Sequence, residues 1–586
     1  MRKNNLKQRI NSWGGDRLEH LRLHLSRHDA LLQLSLLGLL TGFFAGFVIV
    51  LFRVVVEQTQ AGFLPEGLVE NYEALAPWLR FLLPVGGALC IALFFQWYAK
   101  GETVLGVTYV MERMAYHQGY MTLRSFVLQF VGAATAIISG HSVGREGPHI
   151  LLGAAAGSLL GQRLSLPNNS IRTLLGCGTA AGIAASFNTP LAGVIFALEV
   201  VMMEYSLVSF IPVILAAVTA TGISIAVFGN APAFEIPPLT PPSLAEIPVV
   251  VLLGLLVGVL SALFIQLMQT TMARVVRVAY WQRILYAGLL MGGVGYLVPE
   301  SMGIGYDTVN SALLGELGIG LLAVILLAKL LATVACLGLG VPGGNIGPLL
   351  FLGGCLGSLI GQIATQVFHH DTLGVGFYAL LGMGAMMGAT LQAPLAALTA
   401  MMELTYSPHA IMPGMLAIVV AGLVVTHLFG KESLFLTLMR AIGKDYDTNP
   451  VMLALRRAGV ASVMRKRFAR SPQRISHDRA KALLRDEPEW LLIQGEADPV
   501  RLMPAVDLVR YLKADQGHVT GEIDLLEIPG QRIDVAPIYL QATLQEALER
   551  LNGGVDALYV ERVTAPGIRR IYGVLTREQV ESAYKL

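Results

Sequence analysis

The sequence predicts an all-α polytopic membrane domain of two repeats, followed by a small cytosolic α/β domain. Of its 586 residues, 54% are hydrophobic and 14% are charged, whereas soluble domains carry about 25% charged residues. Apolar runs broken by glycine fill residues 31–440, and a series of motifs recurs there at a spacing of about 200 residues. We therefore expect an N-terminal segment over 1–30, a membrane domain over 31–440 and a C-terminal domain over 441–586.

Basic residues at both ends of the membrane domain predict that both chain termini are cytoplasmic. The first apolar run follows about thirty polar residues that include Arg2, Lys3 and Arg9, which is not the pattern of a signal peptide. Lys431 and Arg440 precede the C-terminal domain. Positively charged loops remain on the cytoplasmic side, so the composition indicates a polytopic protein of a bacterial inner or plasma membrane.

Neither cysteines nor basic patches indicate a second chemistry. The four cysteines lie inside apolar runs at unrelated spacings, which favours small core residues over disulfides or a zinc site. No basic stripe with interleaved aromatic residues is present, so nucleic acid is not an expected partner.

Ten apolar segments are candidates for membrane helices. Several are shorter than the roughly 20 residues of a simple span, and they lie beside Gly-Pro or Asn-Thr-Pro clusters. Broken helices at membrane depth occur where backbone lines a cavity or is buried in protein, as in transporters. The segments are Leu34–Phe52, Phe81–Phe95, Phe126–Ser139, Leu191–Met203, Val208–Val227, Val249–Met268, Ile284–Val298, Leu321–Leu337, Leu349–Ile363 and Met412–Phe429.

An ordered series of matches indicates an internal duplication. Gly144–Pro148 aligns with Gly344–Pro348, and Gly157-Ser158-Leu159 recurs 200 positions later. Two Pro-Leu-Ala motifs are each followed by a glutamate nine residues after the proline, at Glu199 and Glu403. Chance similarity explains single matches between glycine-rich stretches, but not their order. Two homologous halves predict a site at their interface, near the middle of the membrane.

The segment Gly144–Pro148 has the composition of a helix start that binds an anion. Backbone N–H groups at a helix start have no helical partner and carry partial positive charge, and Arg145 adds a full charge. The second half supplies an equivalent start at Gly344–Pro348. Glu146 can imitate the anion in such a site and leave on protonation. The alternative is that Arg145 and Glu146 pair with each other or with other side chains.

These motifs resemble those of the CLC family of chloride channels and chloride/proton antiporters. Gly144–Pro148 resembles the family's GREGP motif, and Ser186–Gly193 followed by Glu199 resembles its AFNAPLAG…E segment. Val341–Pro348 resembles its GxPGGxFxP segment. The resemblance extends from about residue 34 to 440, with the motifs in the family's order.

The resemblance implies that the two repeats are inverted (antiparallel), and it implies a homodimer with one anion pathway in each subunit. It implies that Glu146 is the gating glutamate, whose protonation opens the path. Backbone at Arg145–Gly147 and Asn345–Ile346 would line the anion sites.

Three positions depart from the family's anion site. Leu105, which precedes Gly106, stands where the family usually has a serine, and Ile346 stands in place of a phenylalanine. Phe435 stands where a tyrosine often contributes a hydroxyl. A site without these hydroxyl donors predicts altered selectivity, so chloride is expected from the family rather than from the residues. Nitrate, fluoride and bicarbonate remain alternatives.

Val200 predicts passive or weakly coupled transport. The resemblance implies an inner glutamate directly after Glu199, and valine cannot carry a proton. Glu199 and Glu204 are the remaining candidates for a proton path, Glu204 because it follows about one helical turn later. We expect channel-like anion transport, with coupled chloride/proton antiport as the alternative and Glu199 more simply structural.

The C-terminal region resembles a pair of CBS domains. Strands are expected at Glu489–Ile493, Ala557–Glu561 and Arg570–Val574, and helices at Ala505–Leu512, Thr543–Leu551 and Thr576–Tyr584. By resemblance, Asp507 and Thr576 are the candidate ligands of an adenine nucleotide. Gln579 replaces the aspartate that nucleotide-binding members carry three residues after the threonine. A ligand-free domain for dimer stability or trafficking is the alternative.

No complete catalytic constellation supports an enzyme. Residues 140–144 fit G-x-S-x-G, but the hydrolase elbow needs a preceding strand, and a membrane segment precedes this one. Neither H-E-x-x-H nor a P-loop occurs. A membrane enzyme or sensor that uses the CBS pair is therefore the weakest of the readings.

Overall fold

The computed structural model describes residues 25, 30–102, 106–205, 207–230, 234, 246–368, 374–405, 408–444, 450–495, 498–514, 522–565 and 568–583. The chain divides into two compact units. The membrane unit consists of Leu34–Arg163 and Ile171–Tyr446, and the second unit of Met1–Gln33, Leu164–Ser170 and Asp447–Leu586. Leu105 lies outside the described residues.

Helices α1 to α17 build the membrane unit. They are α1 Leu31–Phe63, α2 Pro77–Tyr98, α3 Val107–Tyr116, α4 Leu123–Ile138, α5 Glu146–Arg163, α6 Asn168–Phe187, α7 Pro190–Phe196, α8 Leu207–Phe228, α9 Ile247–Val275, α10 Tyr280–Leu297, α11 Tyr306–Leu314, α12 Ile319–Leu339, α13 Ile346–Phe368, α14 Val375–Leu391, α15 Pro394–Thr405, α16 Ile411–Leu423 and α17 Leu434–Ala441. Helices α7 and α16 each continue into a π-helical turn, at Ala197–Met202 and Val424–Leu428.

Hydrophobicity and burial divide these helices into outer and inner ones. Seven, α1, α2, α8, α9, α12, α13 and α16 with its π-helical turn, are long and apolar enough to cross a membrane. In α13, 78% of the apolar stretch is buried within the protein, against 33–44% in the other six. Each of the ten apolar segments that the sequence predicts lies within a helix and extends beyond it by at most one residue, although the helices are often longer. Helix α13 therefore lies inside the bundle, where its first turn faces protein rather than lipid.

Glycines set the close approach of helices in both halves. A Cβ on Gly153 would lie 2.2 Å from the carbonyl oxygen of Gly178, and one on Gly353 would lie 2.3 Å from that of Gly382. Real Cβ atoms do not come this close, so these helices pack backbone to backbone. Small residues are the usual way for membrane helices to pack this tightly.

The two halves meet through an antiparallel bridge between Gly144 and Gly344. The Gly144 N–H donates to the Gly344 carbonyl at 2.8 Å, and the Gly344 N–H donates back at 2.7 Å. The two repeats therefore meet at matching residues with opposite chain directions, as expected of inverted repeats.

A second reciprocal contact joins the halves at Glu199 and Glu403. The Glu199 carboxylate accepts from the N–H groups of Leu395 (3.3 Å) and Ala396 (2.7 Å), in the first turn of α15. The Glu403 carboxylate accepts from the equivalent N–H groups of α7, at 2.9 and 2.8 Å. Each glutamate thus caps the helix start of the other half, where a negative charge is stabilising.

The second unit is an α/β domain. Its helices are α18 Pro450–Arg457, α19 Val460–Val463, α20 His477–Leu484, α21 Ala505–Ala514, α22 Leu544–Asn552 and α23 Arg577–Ser582. Its strands are β1 Phe468–Pro472, β2 Arg474–Ile475, β3 Trp490–Gln494, β4 Pro499–Pro504, β5 Ile523–Asp524, β6 Ile533–Tyr539, β7 Ala557–Ala565 and β8 Ile568–Thr576. The strands and helices expected from the sequence are confirmed, with ends that differ by up to four residues.

The second unit also contains a repeat. Six strands form one sheet in the order β1-β3-β4-β6-β7-β8. Strands β1 and β3 are parallel and β4 is antiparallel to β3, and β6, β7 and β8 pair in the same way. With the helices that connect and follow them, the strands form two successive βαββα modules, which join where β4 pairs with β6.

Candidate functional site

Two helix N-termini begin beside the Gly144–Gly344 bridge. Helix α5 begins at Glu146 and α13 begins at Ile346, each two residues after its bridging glycine. The approach depends on glycine, since a Cβ on Gly147 would lie 2.6 Å from the Cα of Gly344. The partial positive charge of both helix starts is thereby concentrated in one buried place.

The Glu146 side chain lies at this place and is fully buried. One carboxylate oxygen accepts from the N–H of Gly347, in the first turn of α13, at 3.0 Å. The other oxygen accepts from the Tyr306 hydroxyl. A negative group of the first half is therefore held by donors from the second half.

Arg145 does not hold the Glu146 carboxylate by an ion pair. Its guanidinium lies 3.6 Å from the Glu57 carboxylate and 5.2 Å from the centre of the Tyr306 ring. Of the alternative left open by the sequence, pairing with each other is not observed, but each residue does contact another side chain, Arg145 the Glu57 carboxylate and Glu146 the Tyr306 hydroxyl.

A charged cavity of about 270 Å³ is lined by Arg145, the residue before Glu146. Its charged lining residues are Arg53, Glu57, Glu70, Arg145 and Asp307, and Tyr306 also lines it. Arg53 and Glu57 form an ion pair at 2.9 Å.

Glu70, which lines this cavity, and Glu73, in the same loop, have pKa values raised by burial. Burial, together with the nearby Asp307, raises the pKa of Glu70 to about 7. Burial raises the pKa of Glu73, in the same loop, to about 7, with Asp307 and Glu300 adding to the shift. The charge around the cavity therefore becomes more positive as pH falls through this value.

A glycine cavity of about 480 Å³ is lined by Gly147, the residue after Glu146. Gly106, Gly147 and Gly344 line it, with the first residues of α3 and the Asn345 side of α13. Among its described lining residues, Arg283 is the only one with a charged side chain. Glycine backbone, helix starts and one guanidinium make this wall favourable to an anion.

The structure gathers most, but not all, of the residues predicted for the anion site. Gly106, Gly147 and Asn345 line the glycine cavity, and Arg145 lines the charged cavity. Ile346 and Phe435, at 2% and 1% exposure, line neither cavity. Ile346 borders a small apolar pocket of about 20 Å³ instead.

The two candidates for a proton path, Glu199 and Glu204, have different surroundings. Glu199 uses both carboxylate oxygens to cap α15. Glu204 follows the π-helical turn, which ends at Met202, and its N–H donates to the Leu198 carbonyl at 2.9 Å. The expectation that Glu204 follows Glu199 by one regular helical turn is wrong, because the helix widens and ends between them.

Sequence reasoning missed Tyr306. It is 160 positions from Glu146, outside every motif that the two halves share. The only local signal is Gly303-Ile304-Gly305 before the start of α11, which indicates a tight turn but not a partner.

The nucleotide ligands predicted in the second unit are held by other protein groups. Asp507, 7% exposed, accepts from the Gln531 N–H at 3.1 Å and lies 3.6 Å from the Arg532 guanidinium. Thr576 is the N-cap of α23, where the Gln579 side chain accepts from its N–H at 2.9 Å. Both residues therefore have contacts within the protein, and their role as nucleotide ligands stays a prediction.

Comparison with known proteins identifies the membrane unit. A family model described as voltage gated chloride channel matches residues 86–426. The chain belongs to the CLC family. A "Putative chloride channel protein ClcB-like" of Ralstonia nicotianae is 33% identical over 424 residues, which cover 71% of this chain and 97% of the relative. An "H(+)/Cl(-) exchange transporter ClcA" of Vibrio cholerae serotype O1 is 30% identical over 437 residues, 72% of this chain and 92% of the relative.

Solved structures agree with this CLC fold. A slow cyanobacterial Cl−/H+ antiporter has a TM-score of 0.62 at 21% identity and covers 70% of this chain and 97% of its own. A CLC-type fluoride/proton antiporter has a TM-score of 0.57 at 25% identity, with coverage of 70% and 98%. A eukaryotic CLC transporter, with a TM-score of 0.60 at 19% identity, covers 94% of this chain and 98% of its own. The general activity of this CLC chain is therefore anion transport.

Proposed function

We propose that this CLC protein exchanges a small inorganic anion, chloride first among the candidates, for protons, and that Glu146 is its gate. The observation that carries the proposal is the buried Glu146 carboxylate, which accepts from the Gly347 N–H in the first turn of α13 and whose chain neighbours Arg145 and Gly147 line one cavity each. An ionised carboxylate there takes the place of a transported anion. Protonation removes the charge that holds it, so the side chain leaves and the path opens.

The lining of the path supports an anion as its cargo. The described wall of the glycine cavity contains one cation, Arg283, and no carboxylate. Gly106, Gly147 and Asn345 bring backbone of three helix starts to that wall. We assign the anion sites to this backbone, with Arg145 and Ile346 at their edges and Phe435 behind them.

Coupling to protons is supported by the relatives more than passive conduction is. The Vibrio cholerae relative and two of the solved structures are named as proton exchangers. This reverses the preference that Val200 suggested. Passive conduction remains the second candidate because Val200 is apolar and 4% exposed, and because Glu199 is engaged as a helix cap. The exchange proposal therefore requires a proton route that avoids Val200 and Glu199. Glu204 is one candidate for that route.

The proposal also covers the oligomeric state, the membrane and the orientation of the protein. We place it as a homodimer in a bacterial inner or plasma membrane, with both termini cytoplasmic and the charged cavity open to the outside. We assign the second unit to a CBS pair with a regulatory role, supported by its two βαββα modules and by a fold match that covers 94% of the chain. Its role does not require a nucleotide.

The test is anion flux from proteoliposomes that contain the full-length protein, with external pH recorded at the same time. Wild type is expected to release chloride only with proton uptake in a fixed ratio. Glu146→Gln, a permanently uncharged gate, is expected to release chloride at all pH values without proton movement. Parallel loading with fluoride, nitrate and bicarbonate identifies the preferred anion.

The outcomes separate the alternatives. Chloride flux without proton movement in the wild type supports the passive channel and removes exchange. Unchanged pH dependence in Glu146→Gln removes the gate. Flux of none of these anions leaves the CLC fold without the proposed activity.

A further inference from the structure

Tyr306 links the proposed gate to a part of the fold that none of the shared motifs includes. Its hydroxyl donates to one oxygen of Glu146, while the N–H of Gly347 holds the other. Both oxygens of the carboxylate are thus engaged, one by a helix start and one by a side chain. Only the side-chain donor can be removed without altering the backbone.

The Tyr306 ring is fixed from several sides. The Phe234 ring packs against it edge-on at 5.0 Å between centroids, and the Phe187 ring lies at 6.3 Å. The Arg145 guanidinium lies over the ring at 5.2 Å. The hydroxyl is therefore aimed at Glu146 by packing rather than by chance rotation.

The backbone of Tyr306 is fixed as well. Its N–H donates to the Glu70 carboxylate at 3.2 Å. The fully buried ammonium of Lys329 donates to the carbonyls of Ser301, Gly303 and Ile304, at 3.2, 2.9 and 3.1 Å. The turn that leads into α11 is thereby tied to α12, so Tyr306 begins its helix in one position.

Several charged and titratable groups surround this pair and affect any response to pH. The groups are Arg53 and Glu57 on α1, Glu70 in the following loop, Arg145 and His149 at the start of α5, Asp307 on α11 and Lys329 on α12. They are present in wild type and in every variant proposed below. A difference between variants therefore reports the hydroxyl and not this background.

We propose that Tyr306 is a positioning residue that holds Glu146 in the closed state and sets the pH at which the gate opens. The inference rests on the proposed gating role of Glu146. A hydroxyl that donates to an ionised carboxylate stabilises the ionised form. Loss of this donor makes the carboxylate easier to protonate, so transport begins at higher pH.

The test compares the pH profiles of chloride flux in liposomes with equal pH on both sides. Tyr306→Phe removes one oxygen and is expected to shift the half-activation pH upward by about one unit, the order of shift that a hydrogen bond to a carboxylate produces. Tyr378→Phe is the matched control, because Tyr378 is also fully buried and its hydroxyl has no hydrogen-bond partner among the described residues. Its profile is expected to coincide with that of the wild type.

The same substitution in a protein that lacks the Glu146 carboxylate distinguishes a positioning role from a general loss of structure. With Glu146→Ala, which has no carboxylate to hold, Tyr306→Phe is expected to leave flux and its pH dependence unchanged. An equal shift in that background, or no shift with Glu146 present, overturns the inference. If Glu146→Gln itself keeps the wild-type pH profile, the proposed gate fails first. If Glu146→Gln loses its pH dependence while Tyr306→Phe has the wild-type profile, only the role of Tyr306 fails.

A fluorinated tyrosine at position 306 gives a test of opposite sign. Its more acidic hydroxyl is a stronger donor, so the half-activation pH is expected to move downward. The substitution keeps the ring and its packing, which makes it informative even if Tyr306→Phe folds poorly. A shift in the same direction as Tyr306→Phe contradicts the inference.

Discussion

The two halves of the membrane unit have the same backbone at the starts of α5 and α13 but different side chains. Gly144 and Gly344 bond to each other as equals, and the helices begin two residues later in both halves. The next position is Glu146 in the first half and Ile346 in the second. Only one half carries an ionisable group into the site.

At a third pair of matching positions, both halves carry the same residue. Glu199 and Glu403 make the same contact from opposite halves, each with the first turn of the other half's helix. Where the halves keep the same residue, it maintains the architecture. Where they differ, as at Glu146 and Ile346, the proposed gate has its carboxylate in the first half and its backbone N–H donor, Gly347, in the second.

The largest effect is expected from a change at the symmetric bridge. In Gly344→Ala, the new Cβ would lie 2.4 Å from the Gly147 nitrogen, in backbone that has no room to move. Overpacking of this kind costs about 1–3 kcal/mol or more, so we expect a large fall in thermal stability and in the monodisperse fraction after detergent extraction.

Gly293→Ala, on α10, is the control for Gly344→Ala. A Cβ on Gly293 meets nothing within 4 Å, and alanine favours a helix by about 0.5–1 kcal/mol over glycine. Its stability is expected to equal or exceed that of the wild type. Equal stability of Gly344→Ala would show that the bridge is not the close contact that joins the halves.

A moderate and equal effect is expected from the two glutamate caps. Glu199→Gln and Glu403→Gln each remove one charge and one acceptor from a helix start, which costs about 1 kcal/mol. Thermal unfolding of the two purified variants is expected to show similar losses, and the proton-to-anion ratio in liposomes is expected to stay at the wild-type value. A change of that ratio in Glu199→Gln alone would give Glu199 a place in the proton path and break the symmetry of the pair.

The sequence predicted the fold well because two signals, the apolar runs and the internal repeat, can be read directly from the chain. Apolar runs locate the outer helices, and the repeat locates the two helix starts at Glu146 and Ile346. Helix α14 was missed because it contains many glycines and alanines, and because all of its residues except Val375 are buried. A helix enclosed by protein needs neither a polar face nor the hydropathy of a lipid-exposed span.

The site was only partly predictable for a related reason. The position of Glu146 follows from a local motif, so the sequence identified it. Tyr306 reaches Glu146 from a turn that Lys329 and Glu70 hold in place, and no spacing in the chain encodes that contact. The relation of Glu204 to Glu199 was mispredicted because a π-helical turn breaks the 3.6-residue period on which the prediction relied.

The smallest effect is expected in the second unit, where matching positions of the two βαββα modules can be compared in the same way as matching positions of the two membrane halves. Asp507 and Gln579 are each the third residue of the helix after a βαββ segment, in α21 and α23. Asp507 contacts the Gln531 N–H and Arg532, and Gln579 contacts the Thr576 N–H. Both residues therefore make local contacts that stabilise the structure around them, although only Asp507 is acidic.

Asp507→Asn tests whether that acid has a further role. The amide keeps an acceptor for Gln531 and loses the charge that faces Arg532, a partly exposed ion pair worth about 0–1 kcal/mol. We expect a fall of a degree or two in the unfolding temperature of the full-length protein, following about 2–4 °C per kcal/mol for a domain of this size. Adenosine triphosphate is expected to shift the unfolding temperature of neither the wild type nor the variant. A nucleotide-dependent rise in the wild type that Asp507→Asn abolishes would show that the two modules differ in function as the two membrane halves do, with the acid again in the first copy.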